Sequence, residues 1–410
     1  MSEWKEVSLK DISFYNKERI SLEQINFSNY VSTENMNPDR NGVTNASSLP
    51  SSKTVSKYCA GDILISNIRP YFKKIWFADK DGGCSNDVLV IRSKDKEQVD
   101  SKYLYYCLFT DNFFDYVMSG AKGAKMPRGD KEEIMKYSLL LPPLHEQQQI
   151  ARFLSNVDDK ILMNNKINQT LHDMSAALYK NWFVDFGPFQ DNDFEESELG
   201  TIPAGWKTKK LSELLYLSKK GITPKYTEDI EGSVLVINQK CIRNKKISTS
   251  LARRHDLIKN IPKDKYLQKY DILINSTGIG TLGRVAQLFE VREPITVDSH
   301  VRICRPNVEI CSPLYIGQVM KMNESLLQTM TEGSTGQAEL SSEVLNLQVV
   351  YPPLNIQKDY ENIVNDWYLI TLENERENSV LVSLRDFLLP RLISGTIELK
   401  EVEKQVEEVL

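Results

Sequence analysis

The sequence predicts an α+β fold in which one globular domain occurs twice in tandem, each copy followed by a long helix, with the two helices paired as a coiled coil. Three observations carry this. The segment 141–188, LPPLHEQQQIARFLSNVDDKILMNNKINQTLHDMSAALYKNWFVDFGP, ends a strand-like run in a Pro pair, then continues as a long helical pattern to an aromatic exit. From Tyr351 the chain repeats it: shifted by 210 residues, Pro142-Pro143-Leu144 falls on Pro352-Pro353-Leu354 and Gln147 on Gln357. Ahead of each helix, the same order of strand, helix and loop patterns recurs.

Each long segment holds a seven-residue pattern over four repeats, which argues for helices packed along their length rather than isolated surface helices. In the first, Ile150, Val157, Asn164, Leu171 and Leu178 share one seam position, with Phe153, Ile167 and Met174 at the other. In the second, Tyr360, Trp367, Asn374, Leu381 and Leu388 share one, with Ile363, Ile370 and Leu384 at the other. Lys160 and Glu377 interrupt the pattern, one in each helix. Asn164 and Asn374, near the two helix centres, are the expected register-fixing polar pair. A whole domain lies between the helices, so the sequence leaves their relative direction open.

Residues 1–143 form the first domain. Trp4-Lys5 and Val7-x-Leu9 open it, followed by a polar, turn-rich region through Ser56. Strand patterns follow at 61–66, 75–78 and 87–91, with Gly82-Gly83 as a turn between the last two. The spacing of Leu104, Cys107, Leu108, Phe114 and Val117 predicts one helix over 103–118. A Gly-Lys loop, Gly120 to Arg128, then leads to the Leu139-Leu140-Leu141 strand. The first long helix spans 144–186. Linker and second domain, 187–353, restart the order: Trp206-Lys207 repeats Trp4-Lys5 at an offset of 202, Asp271-Ile272-Leu273-Ile274 repeats Asp62-Ile63-Leu64-Ile65 at 209, and 301–305 repeats 88–92 at 213. A helix over 315–330 and a Gly-rich loop at 333–336 follow. The second long helix occupies 354–392 and an acidic tail 393–410. Slow drift in offset is what loop insertions produce between copies of one fold.

Composition excludes several classes. No run approaches the roughly 20 apolar residues of a membrane span, and the first ten residues lack a signal-peptide apolar region, so a cytoplasmic chain without membrane contact is expected. Six Cys and four His are scattered without zinc-ligand spacing, and reduced, buried thiols with no metal site are expected. No G-x-x-x-x-G-K-[ST] occurs. Gly278 to Gly283 matches G-x-G-x-x-G, but 284–290 reads as a strand where a dinucleotide fold needs a helix. The Pro-Pro pairs lack the Asp/Asn before and aromatic after that an amino-methyltransferase tetrapeptide requires, and read as helix-start punctuation. No catalytic constellation stands out.

Net charge is −5, yet residues 207–269 hold 16 Lys/Arg against 6 Asp/Glu, a local balance of +10. Acid concentrates in the linker around 191–198 and in the tail. A basic body between acidic connectors fits a polyanion-binding domain. On its loops, cations interleave with amides, hydroxyls and aromatics. The first copy offers Arg69, Tyr71, Lys73, Lys74, Lys122, Lys125 and Arg128. The second offers Lys219, Lys220, Lys225, Tyr226, Asn238, Gln239, Lys240, Arg243, Lys245, Lys246 and Arg253, with Thr281 and Arg284 beside the Gly turn. Arg and Lys pair with phosphates or guanine edges, and Asn or Gln can read adenine.

Taken in order, Leu141-Pro-Pro-Leu144 with Glu146-Gln147 and Ile150, Asn181-Trp-Phe-Val-Asp-Phe186, Leu199-Gly-x-Ile-Pro-x-Gly-Trp206, Thr277-Gly278 through Gly283-Arg284, Tyr351-Pro-Pro-Leu354 with Gln357, and Leu389-Pro-Arg-Leu-Ile-Ser-Gly395 resemble the specificity (DNA-recognition) subunit of type I restriction–modification systems. Asn355-Ile356 departs from the Glu-Gln-like residues common there. The resemblance implies two target-recognition domains, each reading half of a split double-stranded DNA site, and an antiparallel helix pair between them. It also implies two adenine-methyltransferase (modification) subunits and restriction (translocase-nuclease) subunits as partners. S-adenosylmethionine, ATP and magnesium would sit on those partners, with no catalytic residue or cofactor in this chain. A 39-residue helix over 144–182 would be ~58 Å long, roughly 17 base-pair steps. The competing expectation is a coiled-coil scaffold or adaptor that joins proteins without sequence-specific DNA binding.

Overall fold

A computed structural model describes residues 4–278, 280–332 and 339–401. The Gly-rich loop at 333–336, Ile279 inside the G-x-G-x-x-G stretch, and the tail from 402 lie outside the described residues. The chain divides into two compact units, Met1–Met163 with Glu377–Leu410, and Asn164–Arg376. The sequence segments domain and helix separately, whereas each unit takes one globular domain together with half of each long helix.

In the first unit, Lys5–Ser8 pairs antiparallel with Ser138–Leu141, closing the domain at the entry to the long helix. Strands Ser13–Tyr15, Val88–Ser93, Ile63–Ser66 and Ile75–Phe77 form a four-stranded antiparallel sheet in that order. A second sheet orders Arg19–Ser21, Thr54–Tyr58, Gly82–Cys84 and Tyr30–Val31, with the last pair parallel. The central strand explains the layering. Ile63 and Ile65 enter a core with Tyr103, Phe113 and Ile150, while Leu64 turns to the other sheet beside Tyr58 and Cys84. Period-two alternation along the apolar run Ile63-Leu64-Ile65 thus buries both faces.

The second unit repeats this frame. Lys207–Lys210 pairs with Gln348–Tyr351. Leu215–Lys220, Val301–Pro306, Ile272–Asn275 and Val285–Gln287 form the same sheet in the same order. A bidentate ion pair on a buried carboxylate recurs with it. Arg92 grips Asp62 at 2.7 and 2.8 Å in the first copy, and Arg305 grips Asp271 at 2.7 and 2.8 Å in the second. The outer sheets diverge. In the first copy Gly82–Cys84 pairs directly with Thr54–Tyr58, whereas in the second Ser233–Ile237 stands between Arg253–Asp256 and Ile295–Val297.

Three sequence expectations are corrected here. Gly82-Gly83 is a strand, not a turn. A Cβ at Gly82 would lie 2.2 Å from Asn29 O and one at Gly83 2.4 Å from Val55 Cγ2, so close packing between strands requires these glycines. The helix expected at 103–118 is two, Ser101–Leu108 and Asp111–Ser119, restarted where Thr110 Oγ1 accepts from Phe113 N at 3.3 Å. That over 315–330 is likewise Pro313–Met322 and Glu324–Thr329, parted at Asn323. Apolar periodicity runs through both breaks and hides the polar residue at each.

The long helices are Leu144–Phe183 and Leu354–Ile393, 40 residues each. In the first unit Arg385 Nη1 donates to Asp158 Oδ1 at 2.8 Å and Lys160 Nζ lies 3.0 Å from Glu377 Oε2. In the second, Asn374 Nδ2 donates to Asn168 Oδ1 at 2.8 Å, and Ser175 Oγ lies 3.2 Å from the hydroxyls of both Tyr360 and Tyr368. Rising numbers on one helix meet falling numbers on the other within each unit, so the pairing is antiparallel. Ile150, Val157, Asn164, Tyr360 and Leu388 are buried at the first seam position; Leu171, Leu178, Trp367, Asn374 and Leu381 are partly so. The second position differs from the expectation by one residue. Ile167, Met174, Ile363 and Ile370 are 38–46% exposed, while Leu154, Asn168, Ser175, Val364 and Thr371 are buried. Both i+3 and i+4 share a helix face; apolar side chains at i+3 favour the wrong choice because polar ones occupy i+4. Lys160 and Glu377, which break the expected seam, flank it and pair with each other. Asn374 likewise meets Asn168, not Asn164.

Each globular domain is fastened to its following helix in one way. Gln147 is buried; its Oε1 accepts from Asp100 N at 2.9 Å and its Nε2 donates to Pro142 O at 2.8 Å. Gln357 does the same with Ser312 N at 3.0 Å and Pro352 O at 2.8 Å. Asp100 and Ser312 are themselves the N-caps of the domain helices. Replacing Gln357 by Leu leaves Ser312 N and Pro352 O buried without partners, and should cost about 3 kcal/mol of stability. Urea unfolding checks this; a loss below about 1 kcal/mol would show that the clamp is not structural.

Candidate nucleic-acid interface

The structure brings together the two cationic stretches of the first domain. Ile68 and Arg128 form a β-bridge, as do Lys122 and Arg128, and Arg69 N donates to Pro127 O at 2.8 Å. Arg69, Tyr71 and the 122–128 loop therefore share one surface. Arg69 and Lys73 flank the turn Pro70–Phe72 in left-handed conformations, φ 50° each, which presents Tyr71 and Phe72 to solvent. Three cations there face carboxylates: Lys73 lies 2.6 Å from Asp111, Lys122 2.6 Å from Asp130, and Arg128 3.3 Å from Asp87. Exposed pairs of this kind hold weakly against a competing polyanion. Lys125 stands exposed on the same loop. Lys74 turns away, donating to Thr33 O at 2.6 Å, and burial draws its pKa down.

The second domain divides its candidates among several places. Lys219 pairs with Asp264 at 2.6 Å, Lys220 with Glu339 at 2.5 Å and Lys225 with Asp256 at 3.0 Å. Arg253 lies over the Tyr226 ring at 3.6 Å, beside a shallow groove floored by Leu235 and Ala252. Asn238 caps the turn Gln239–Cys241, accepting from Lys240 N at 2.8 Å, and its amide donates to Leu251 O at 2.7 Å; both ends hold the loop. Lys240 and Arg243 are exposed. Thr281 and Arg284 are engaged by their own loop: Arg284 Nη2 donates to Gly280 O at 2.7 Å and Thr281 Oγ1 to Gly278 O at 3.3 Å. A side chain at Gly278, φ 106°, would strike Gln239 Oε1 at 2.3 Å, which explains the glycine without a nucleotide.

The Asn244-Lys245 turn, φ 51° and 61°, joins the hairpin strands Ile242–Arg243 and Lys246–Ile247. Lys245 and Lys246 lie within electrostatic reach of His172 on the first long helix. This neighbour was not expected from two lysines read as phosphate contacts.

Neutral residues at the end of the central strand share one frame in the two copies: Asn67 heads the first cationic stretch, and Ser276, its counterpart, stands outside the candidates. Asn67 N donates to Asp87 O at 2.8 Å and Gly129 N to Asn67 O at 3.2 Å. In the second copy Ser276 N donates to His300 O at 2.7 Å and Leu340 N to Ser276 O at 2.8 Å. The bridge Ile68↔Arg128 recurs as Thr277↔Glu339. The sequence signal that could reveal them is the offset itself: 209 carries Asn67 to Ser276, and 213 carries Asp87 to His300.

Among the described residues no cluster of three metal-ligating side chains occurs, and no helix is long and apolar enough to cross a membrane. The six cysteines are free, and all but Cys59 are buried; burial pushes the Cys107 thiol up to about 12.

His172 supplies a pH test of the second unit. Burial, reinforced by Lys246 and Lys321, holds its imidazole down at about 4 from an ordinary 6.5. The unfolded chain therefore takes up this proton first as pH falls. Stability is complete above pH 6.5 and lost progressively from there toward pH 4, by about 2 kcal/mol between pH 7 and 5. His172→Gln should remove that part of the slope in urea unfolding at the two pH values; an unchanged slope would exclude this residue as its source.

Comparison with known proteins agrees with this architecture. Residues 1–173 and 203–381 match the family described as type I restriction modification DNA specificity domain. The MjaIX specificity subunit of Methanocaldococcus jannaschii, a type I restriction enzyme subunit, is 25% identical over 316 residues, covering 75% of this chain and 71% of that one. The HindI specificity subunit of Haemophilus influenzae is 24% identical over 471 aligned positions, covering 97% and 100%. A type I restriction–modification S subunit from M. genitalium shares the fold, with TM-score 0.60, 15% identity and 96% of each chain covered. The chain belongs to the type I restriction–modification DNA specificity family and carries its domain twice.

Proposed function

We propose that this chain is the sequence-specific DNA-binding subunit of a type I restriction–modification complex. Each globular domain reads one half of a bipartite duplex site, and the chain positions two adenine-methyltransferase subunits and the restriction subunits there. The observation that carries this reading is a family match that covers both copies of a frame whose core and clamps are repeated while the polar side chains of its loops are not. One scaffold with two polar surfaces suits two different half-sites. A coiled-coil scaffold without DNA leaves the matched globular domains and their cationic loops without a role.

The chain supplies address rather than chemistry. S-adenosylmethionine, ATP and magnesium belong on the partner subunits, in a complex that works in the cytoplasm. The joined loops around Arg69, Lys122 and Lys125 would meet the phosphate backbone, where exposed Lys and Arg release counterions and set a salt-dependent affinity.

Two measurements test the reading. Mapping methylated adenines across the native genome with and without this chain should show one bipartite motif lost on deletion; an unchanged methylation map would exclude the proposal. The rigorously purified chain alone should neither methylate nor cleave duplex DNA, and either activity would contradict the assignment of chemistry to its partners.

A further inference from the structure

The strand-end frame common to both copies has a property that the fold does not require. In the first copy Asn67 is 8% exposed, and its Oδ1 has no hydrogen-bond partner among the described residues; in the second, Ser276 is fully buried and its Oγ has none. Leaving such a group unpaired costs stability, whereas an apolar side chain of similar size would avoid that cost. The cost recurs at equivalent positions of two domains whose polar loops differ. Backbone around both positions is held by the same hydrogen bonds and the same bridge, on the end of a strand buried on both faces. Rigid backing of this kind suits a recognition element.

What hangs on the frame differs between copies. Beside Asn67, Arg128 Nη2 lies 3.3 Å from Asp87 Oδ1. Beside Ser276, Thr277 Oγ1 lies 2.7 Å from His300 Nδ1. A guanidinium in one copy and an imidazole in the other offer different donor and acceptor sets to a base pair.

We propose that this frame is where each domain reads base edges, through Arg128 positioned by the buried Asn67 in one half-site and through His300 positioned by the buried Ser276 in the other. Arg128 and His300 are exposed and turn toward the duplex, while Asn67 and Ser276, buried beside them, fix the edge from which they reach. This inference rests on the DNA-recognition reading above and names the residues that set its specificity. Cationic loops around the frame anchor phosphates without selecting sequence, so exchanging frame residues should change which bases are chosen.

The test uses the whole chain in its native cell, with genome-wide mapping of methylated adenine. Deleting the chain must first remove a bipartite motif; if it removes none, the DNA reading itself fails. Given that motif, Asn67→Ala and the near-isosteric Asn67→Asp should relax or change base preference in one half only, with about tenfold loss of discrimination at one base pair. Ser276→Ala should do so in the other half only. A motif unchanged in all three variants overturns the inference while leaving the DNA reading intact. So does uniform loss of methylation with no change in preferred bases, because that marks a structural role. Asn67→Asp keeps the volume of the buried side chain, so a folding defect in Asn67→Ala does not decide the outcome.

Discussion

The structure depends on a glutamine at the start of each long helix. Gln147 and Gln357 lie in the first turn after the Pro pair, buried, and each uses both ends of its amide. One end accepts from the residue that caps the domain helix, and the other returns to the carbonyl of the first proline. A tyrosine three residues beyond each cap completes the attachment: Tyr103 OH donates to Leu140 O at 2.9 Å and Tyr315 OH to Val350 O at 2.7 Å. Domain helix, last strand and long helix are thereby fixed to one another by groups that have no solvent to fall back on. Hydrogen bonds made in such surroundings specify geometry more sharply than apolar contact, because an imperfect arrangement leaves a buried group unpaired.

This attachment makes each unit a composite. The core of the first takes Ile150, Ala151 and Leu154 from the start of one long helix, and Leu388, Leu389 and Leu392 from the end of the other. That of the second takes Tyr360 and Val364 from a helix start, and Tyr179 and Phe183 from a helix end. The aromatic exit of the first long helix is therefore core: the Phe183 ring sits 4.7 Å from that of Tyr315 and 5.4 Å from that of Tyr360. Duplication and antiparallel pairing require each other here, since a helix end can substitute for its counterpart only if the helices run in opposite directions.

Much of this was legible in the sequence because it is written in spacing. The Leu-Pro-Pro-Leu and Tyr-Pro-Pro-Leu punctuation, the 210-residue shift that aligns Gln147 with Gln357, and the drifting offsets of strands Ile63–Ser66 and Val88–Ser93 all reflect backbone constraints that recur at fixed distance. What was not legible depended on a choice between neighbours. Phe153 or Leu154, Ile167 or Asn168, Met174 or Ser175: in the last two pairs the apolar member points outward and the polar one fills the seam. Hydrophobicity cannot make that choice when tertiary hydrogen bonds reward the polar residue. The candidate interface was half legible for a related reason. Residue type identified Arg69, Lys122 and Arg128, which the fold joins, but also Lys74, Asn238 and Arg284, which the fold uses internally. Asn67 heads the first cationic stretch, whereas Ser276 carries no charge and becomes visible only when the two copies are aligned.

The polar seam has its own logic. Asn168, Ser175, Thr371 and Asn374 lie where a stability-driven coiled coil would place Leu or Ile, and three of the four are 5% exposed or less. An apolar seam of uniform residues tolerates a slip of one heptad, since every layer then meets a similar layer. Such a slip would carry Tyr179 and Phe183 away from Tyr315 and Tyr360 in one core, and Leu388, Leu389 and Leu392 away from their neighbours in the other. Asn374 donating to Asn168, and Ser175 held between Tyr360 and Tyr368, have no equivalent partners one heptad away. The helices thus give up apolar burial at the seam in exchange for a single register, and that register is what allows each domain to be completed by the far end of a helix.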